Sequence, residues 1–465
     1  MRIYTRTTDI IWNYLGTIST IVINVLILPL LIKYLNNFEL GLWYTFVSIG
    51  GITSLFDFGF SATLARNITY CLSGTTNILE EGKSDINNEV NVELLSKVVG
   101  SCKLIYAIIA LIAMVLLYGI GIPYLKFILK DNDNIIYFYS WFIYALSIIL
   151  NLYYYYFSSL LRGAGDLVNY NRSTVIARFL QIFFAFILLI NGYGILGMAI
   201  SYFIYSIFFR LISMYIVKTK HPLLKPTNIN IRACFEVFKT MWHNAWRDGL
   251  VSISNYLSTY ALTILCSTYL TLEESGIYSV AFQIVNGVSI FSIVIFNSFQ
   301  PSMQSSYVSN DKANLVKKYS LSITYYIFSY FIISLLVFLI GIPILRIIRP
   351  SYIINKKFLF LMLVNYFFTQ YHSLNASFIS NTNKIPYLKS YLISSVSIIL
   401  ILILLLNCSS YGLWAIPITQ FIIQSCYNNW KWPRESLKML DISFKRALNY
   451  GVKHICGLVI NYIKL

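Results

Sequence analysis

Apolar runs of about twenty residues recur along the whole chain, and no other feature restricts the fold as much. A backbone in lipid finds no water, so each buried N–H and C=O must be satisfied by the segment or its neighbours; helices and closed barrels achieve this. Barrel strands are short and alternate in polarity, whereas these runs are long and continuous. Twelve are recognisable, at about 10–32, 41–65, 98–120, 135–160, 173–191, 195–217, 248–268, 276–300, 319–341, 358–380, 390–407 and 412–429. Charged residues make up 11% of the chain, about half the share expected of a soluble domain. The expected class is an all-α polytopic membrane protein with about twelve transmembrane helices. The first run is too long for a signal-peptide core and carries no small-residue cleavage site, so it is expected to stay as a helix.

Two of the runs carry the same polar stripe. Asn13, Thr17, Thr20 and Asn24 interrupt the first, and Asp248, Ser252, Asn255 and Thr259 interrupt the seventh, each 235 positions beyond its counterpart. The spacing places each set on one helix face. Such a face is costly in lipid, so it is expected to meet protein or water. The offset continues beyond the helices: Glu39 and Gly41 recur as Glu274 and Gly276. A chain of two like halves, each opening on a polar-striped helix, implies two six-helix lobes around a central cavity. The expected divisions are 1–217 for the first lobe, 218–247 for a linker, 248–429 for the second lobe and 430–465 for a basic amphipathic tail. Span eight adds Ser279, Gln283, Asn286, Asn297 and Gln300 on one face. Amides offer donors and acceptors together, which suits sugar hydroxyls, although such groups also bond helix to helix.

The net charge of +17 would suit nucleic acid if it were clustered, but its distribution follows topology instead. With an even number of spans both termini share a side, and that side takes 28 of the 35 Lys and Arg residues. The side of positive excess is cytoplasmic, and anionic lipid headgroups are its natural neighbours. Both termini and the connections 66–97 and 218–247 are therefore expected in the cytoplasm, and the tail is expected to lie along the membrane surface. Outer connections are all short, which disfavours a polymerase or ligase working in a large periplasmic loop. The seven cysteines and four histidines show neither paired nor metal-ligand spacing, and no Walker loop is present, so no metal or cofactor is implied.

Several charges fall within the apolar runs. Lys103, Arg178, Arg210 and Arg247 are candidates for holding a diphosphate, because guanidinium offers forked donors to phosphate oxygens; the alternative is that their long side chains reach the cytoplasmic surface. Asp57, Arg66 and His372 are gate or coupling candidates. On one continuous helix Asp57 and Arg66 point to opposite faces.

The stretch Glu39–Asn67 (ELGLWYTFVSIGGITSLFDFGFSATLARN), the segment Leu161–Asp166 (LRGAGD) and the pairs Tyr193-Gly194 and Tyr411-Gly412 resemble bacterial polysaccharide flippases of the Wzx type. These belong to the multidrug/oligosaccharidyl-lipid/polysaccharide exporter superfamily. The resemblance implies a multi-pass protein of the bacterial inner membrane. Its implied task is to flip undecaprenyl-diphosphate-linked oligosaccharide repeat units, precursors of O-antigen or capsule, by alternating access. It implies as partners the lipid-linked oligosaccharide, membrane lipids, and polysaccharide polymerase and chain-length proteins. Some relatives hold the diphosphate with arginines on the first helix; this chain has none in span one. Drug/cation antiporters of the same superfamily, the alternative reading, often carry a carboxylate deep in span one; here the nearest acid is Asp9, before the helix.

Overall fold

The computed structural model describes residues 27–57, 60–72, 90–130, 134–224, 249–308, 311–350, 354–380, 385–408 and 411–463, with a few single positions between 235 and 246. Its regular elements are helices: α1 (Asn37–Ser54), α2 (Phe60–Leu72), α3 (Val92–Gly119), α4 (Gly121–Leu129), α5 (Ile135–Tyr154), α6 (Tyr156–Gly163), α7 (Leu167–Ile190), α8 (Gly194–Lys220), α9 (Tyr260–Tyr269), α10 (Leu272–Val308), α11 (Lys312–Leu336), α12 (Ile342–Ile348), α13 (Lys356–Ile379), α14 (Leu388–Cys408), α15 (Ala415–Cys426), α16 (Asn428–Leu440) and α17 (Phe444–Ile463). Among the described residues, eight helical stretches are long and apolar enough to cross a membrane. The protein is an all-helical, multi-pass membrane protein. The chain divides into two compact units, Met1–Gly276 and Ile277–Leu465.

The 235-residue repeat has a direct physical expression in the first unit. At the start of α1, Asn36 Oδ1 accepts from the Glu39 N–H at 2.8 Å, and Glu39 Oε2 accepts from the Asn36 N–H at 3.2 Å. At the start of α10, Thr271 Oγ1 accepts from the Glu274 N–H, and Glu274 Oε2 accepts from the Thr271 N–H, both at 3.2 Å. Both are capping boxes, which satisfy amide donors that a helix start leaves free. The repeat glycines then pack on each other. A Cβ on Gly41 would strike the Leu272 carbonyl and crowd the Gly276 nitrogen, and one on Gly276 would strike the Asn37 carbonyl. Only glycine allows two helix starts to approach this closely.

Span two is not one helix. α1 ends at Ser54, a single 3₁₀ turn covers Leu55–Asp57, and α2 begins at Phe60. Thr53 gives its hydroxyl to the Gly50 carbonyl at 2.6 Å, competing with the helix ladder just before the break. The continuous helix on which Asp57 and Arg66 were expected to take opposite faces is therefore not formed. Span seven also bends, at Ser258 and Thr259. Two tyrosine hydroxyls fix it in the first unit: Tyr256 donates to the Ser48 carbonyl at 2.7 Å, and Tyr124 of α4 lies 3.0 Å from Ser267 Oγ. The same unit is centred on rings from three spans, with Trp43 edge-on to Tyr144 and Tyr202, each at 5.3 Å.

In the second unit, three tyrosines of α11 tie that helix to α13. Tyr319 donates to Asn375 Oδ1 at 2.6 Å, and Tyr326 and Tyr330 donate to the carbonyls of Phe367 and Leu363, both at 2.8 Å. Rising numbers on α11 meet falling numbers on α13, so the two are antiparallel. The tail forms α16, packed on α13, and α17, packed along α11. Lys312 at the start of α11 lies 3.6 Å from Asp441, just before α17. Gly451, further along α17, sits against Ser320 and Thr324. The two helices thus run in the same direction.

Candidate functional site

The residues expected to line a cavity fall into three groups. Asn13, Thr17, Thr20, Asn24, Arg247 and Asp248 lie outside the described residues, as does the side chain of Arg66. On span seven, Ser252 and Asn255 are exposed, whereas the intervening Ser254 is 1% exposed. The striped face is therefore turned away from the packing of its own unit. Thr259 bonds the Asn255 carbonyl at 2.7 Å, at the bend. On α10, Ser279 is buried with an unpartnered hydroxyl, Gln283 and Asn286 are half-buried, and Asn297 is exposed. Gln300 donates to Ser377 Oγ at 2.8 Å. Ser279 and Gln300 thus meet protein, and Gln283, Asn286 and Asn297 keep polar surface available.

The first unit gathers cations on tyrosine rings. Arg178 of α7 lies over the Tyr205 ring at 4.2 Å and donates to Gln181 Oε1 at 2.9 Å. Arg210 of α8 lies over Tyr154 at 4.1 Å. Both are half-buried, and in both the Nε–H is buried without a partner. A ring face attracts the cation but leaves the in-plane donors unused, so each guanidinium keeps hydrogen-bonding capacity. The two rest on different tyrosines. Lys103 of α3 is also half-buried.

Asp57 sits in the 3₁₀ turn between α1 and α2. It accepts from the Tyr106 hydroxyl at 2.6 Å and feels the charge of Arg162. Arg162, at the end of α6, donates to the Tyr170 hydroxyl at 2.8 Å and lies 4.5 Å from that ring. At the break in the helix this acid meets α3. At the unit's edge, Asp166 caps α7 and lies 2.9 Å from His221 Nε2. Burial alone would raise the Asp166 carboxyl, but hydrogen bonds from His221 and Asn169 outweigh it and hold the carboxyl below its ordinary range.

His372 of α13 is 3% exposed and lies 2.8 Å from Asn429 Oδ1, edge-on to Tyr391. Around it, Asn428 bonds Gln424, Ser394 and Trp432 at 2.8 to 2.9 Å.

A family model described as polysaccharide biosynthesis protein matches residues 7–307. The chain belongs to this family. No curated protein matches it. Among solved structures, the MATE multidrug transporter DinF-BH in complex with R6G is similar at a TM-score of 0.63 and 15% identity, over 92% of this chain and 97% of that one. The lipid II flippase MurJ in an inward closed conformation is similar at 0.61 and 16%, over 98% and 92%. An inward-facing MATE family transporter of the MOP superfamily is similar at 0.59 and 14%, over 90% and 99%. The fold is that of MOP-superfamily transporters, and the family ties the chain to polysaccharide biosynthesis.

The family match spans Lys103, Arg162, Arg178 and Arg210. Sequence reading singled out Lys103, Arg178 and Arg210 but missed Arg162 and the tyrosines Tyr106, Tyr154, Tyr170 and Tyr205. These partners come from other helices, so no local spacing announces them. The one available signal was the tyrosine run at 153–156, beside which Arg210 settles.

Proposed function

We propose that the chain flips undecaprenyl-diphosphate-linked oligosaccharide repeat units, O-antigen or capsule precursors of the Wzx type, across the bacterial inner membrane by alternating access. One observation carries the reading. The acid–base pairs of the first unit, among the described residues, are Lys97 with Glu93 and His221 with Asp166. Among the described residues neither Arg178 nor Arg210 forms an ion pair, and each keeps a buried donor unused. Half-buried cations without acids favour an anion, and a diphosphate matches the guanidinium fork. A carrier for cationic drugs needs the opposite sign. The half-buried amides Gln283 and Asn286 supply donors and acceptors for the sugar portion. Asp57, held by Tyr106 next to Arg162, is the coupling or gating carboxylate, and the Gly41–Gly276 crossing is where two repeat-related helix starts meet and part during the cycle.

In this reading the N-terminus is cytoplasmic, lobes 1–217 and 248–429 are joined by the cytoplasmic 218–247 linker, and polysaccharide polymerase and chain-length proteins act on the delivered units. The test is genetic. In cells with no other flippase for the same repeat unit, removing this chain should abolish surface polysaccharide and accumulate the lipid-linked unit. Normal surface polysaccharide would contradict the proposal.

A further inference from the structure

The second unit contains a cavity of about 580 Å³ where α16 and α17 turn against α11 and α13. This volume lies within the usual range for small-molecule sites. Its lining is mostly apolar, chiefly Ile327, Phe367, Phe368 and the exposed Phe444, and also includes Arg434 and Lys438. These two basic residues are one helical turn apart on α16 and both are exposed. Glu435, the acid whose field they share, is already bound by Lys431 at 2.9 Å. Among the described residues, neither Arg434 nor Lys438 has an ion-pair partner. Trp430 on the same helix is 48% exposed, as a ring lying in a membrane interface would be.

A mostly apolar lining with two unpaired cations matches an amphiphile with an anionic head. We infer that this cavity holds one anionic glycerophospholipid, its phosphate on Arg434 and Lys438 and an acyl chain against the phenylalanines. The bilayer supplies that ligand at high local concentration, and basic residues beside a headgroup attract anionic lipid. The cavity is built within one unit, by side chains of α11, α13, α16 and α17, so a lipid can stay there while substrate is moved elsewhere. The bound lipid would fasten the α16–α17 turn to the α11–α13 pair. The inference does not depend on what the protein transports.

The test uses the purified full-length chain, delipidated in neutral detergent. Dioleoylphosphatidylglycerol and dioleoylphosphatidylcholine are titrated separately, with bound lipid counted by native mass spectrometry and stability followed by melting. Phosphatidylglycerol should bind at one tight site and raise the melting temperature, and phosphatidylcholine should do neither. The R434Q/K438Q variant alters exposed side chains and should fold. It should weaken phosphatidylglycerol binding roughly twenty-five-fold, at about a factor of five for each basic residue. K356Q/K357Q, a distant pair, should change nothing. Equal binding of the two lipids, or an unchanged R434Q/K438Q variant, would overturn the inference. So would displacement of phosphatidylglycerol by equimolar undecaprenyl diphosphate, which would make the cavity a cargo site.

Discussion

In the unit Met1–Gly276 the notable polar groups of the interior are guanidinia resting on tyrosine rings; in Ile277–Leu465 they are amides bonded to amides, hydroxyls and an indole. Asn375 and Asn428 are more fully satisfied than Arg178 and Arg210, although Asn365 of the second unit also keeps a buried Oδ1 without a partner. Asn375 accepts from Tyr319 and donates to the Tyr371 carbonyl, and Asn428 makes three bonds to its neighbours. Arg178 and Arg210 each leave an Nε–H buried and unused. Saturated groups hold helices together, whereas unsaturated cations have capacity left for a ligand. A sequence repeat therefore preserves helix starts and close crossings while the chemistry on the faces diverges.

The largest expected effect tests the part the repeats share. Gly41→Leu and Gly276→Leu each push a side chain into rigid backbone of the partner helix start, and overpacking of this kind costs about 1–3 kcal/mol or more. Both variants should lose folded protein to a similar extent, measured as membrane-inserted protein surviving detergent extraction. A severe loss for one and none for the other would mean that the two starts are not equivalent.

Next come the cations. Arg178→Gln or Arg210→Gln should lower export per folded molecule by roughly ten- to hundredfold, the worth of a hydrogen bond to a charged group. Arg→Lys should fall between, because the charge remains but the fork is lost. The measurement is surface polysaccharide normalised to protein level. In the other unit, Asn375→Leu and Asn428→Leu should show the reverse pattern. Leaving the Tyr319 hydroxyl or the Trp432 N–H unpaired should cost about 1–3 kcal/mol of stability, read in thermal melts, with little change in export per folded molecule. Export lost without instability would erase the contrast between the units.

The smallest effect is at Asp166. Its carboxyl is held below the ordinary range, so its contribution to stability is complete above about pH 4 and disappears as pH falls further. Asp166→Asn keeps a cap for α7 but loses the attraction to His221. It should be destabilised by no more than about 1 kcal/mol at neutral pH, and the difference from the parent should shrink in acid. A difference that grows in acid would reverse the sign.

Much of the fold was legible because lipid leaves so few choices: long apolar runs must become helices, and Glu39 with Gly41 and Glu274 with Gly276 advertise matched helix starts. The break at Leu55–Asp57 was not legible, since its flanks are as apolar as any helix and the competing Thr53 bond is local. The Ser252–Asn255 face was readable from spacing alone, because helical period decides which side a residue takes. Partners such as Tyr205 for Arg178 were not, since they come from other helices. The tail looked like a surface helix by its alternating charge, yet Gly451 lets α17 lie directly along α11, a contact that depends on what faces it.

The central claim is that the unsatisfied arginines serve an anionic, lipid-linked saccharide. Its most direct test is flipping by the purified protein in liposomes loaded with a fluorescent undecaprenyl-diphosphate-linked oligosaccharide, read by quenching of the dye exposed on the outer leaflet. The wild-type chain should make the label on both leaflets available to an external quencher, and the R178Q/R210Q variant should leave about half protected while keeping its fold. Protection in the wild type equal to that of empty liposomes, together with uptake of a cationic dye by the same vesicles, would contradict the claim and assign the chain to cationic drugs instead.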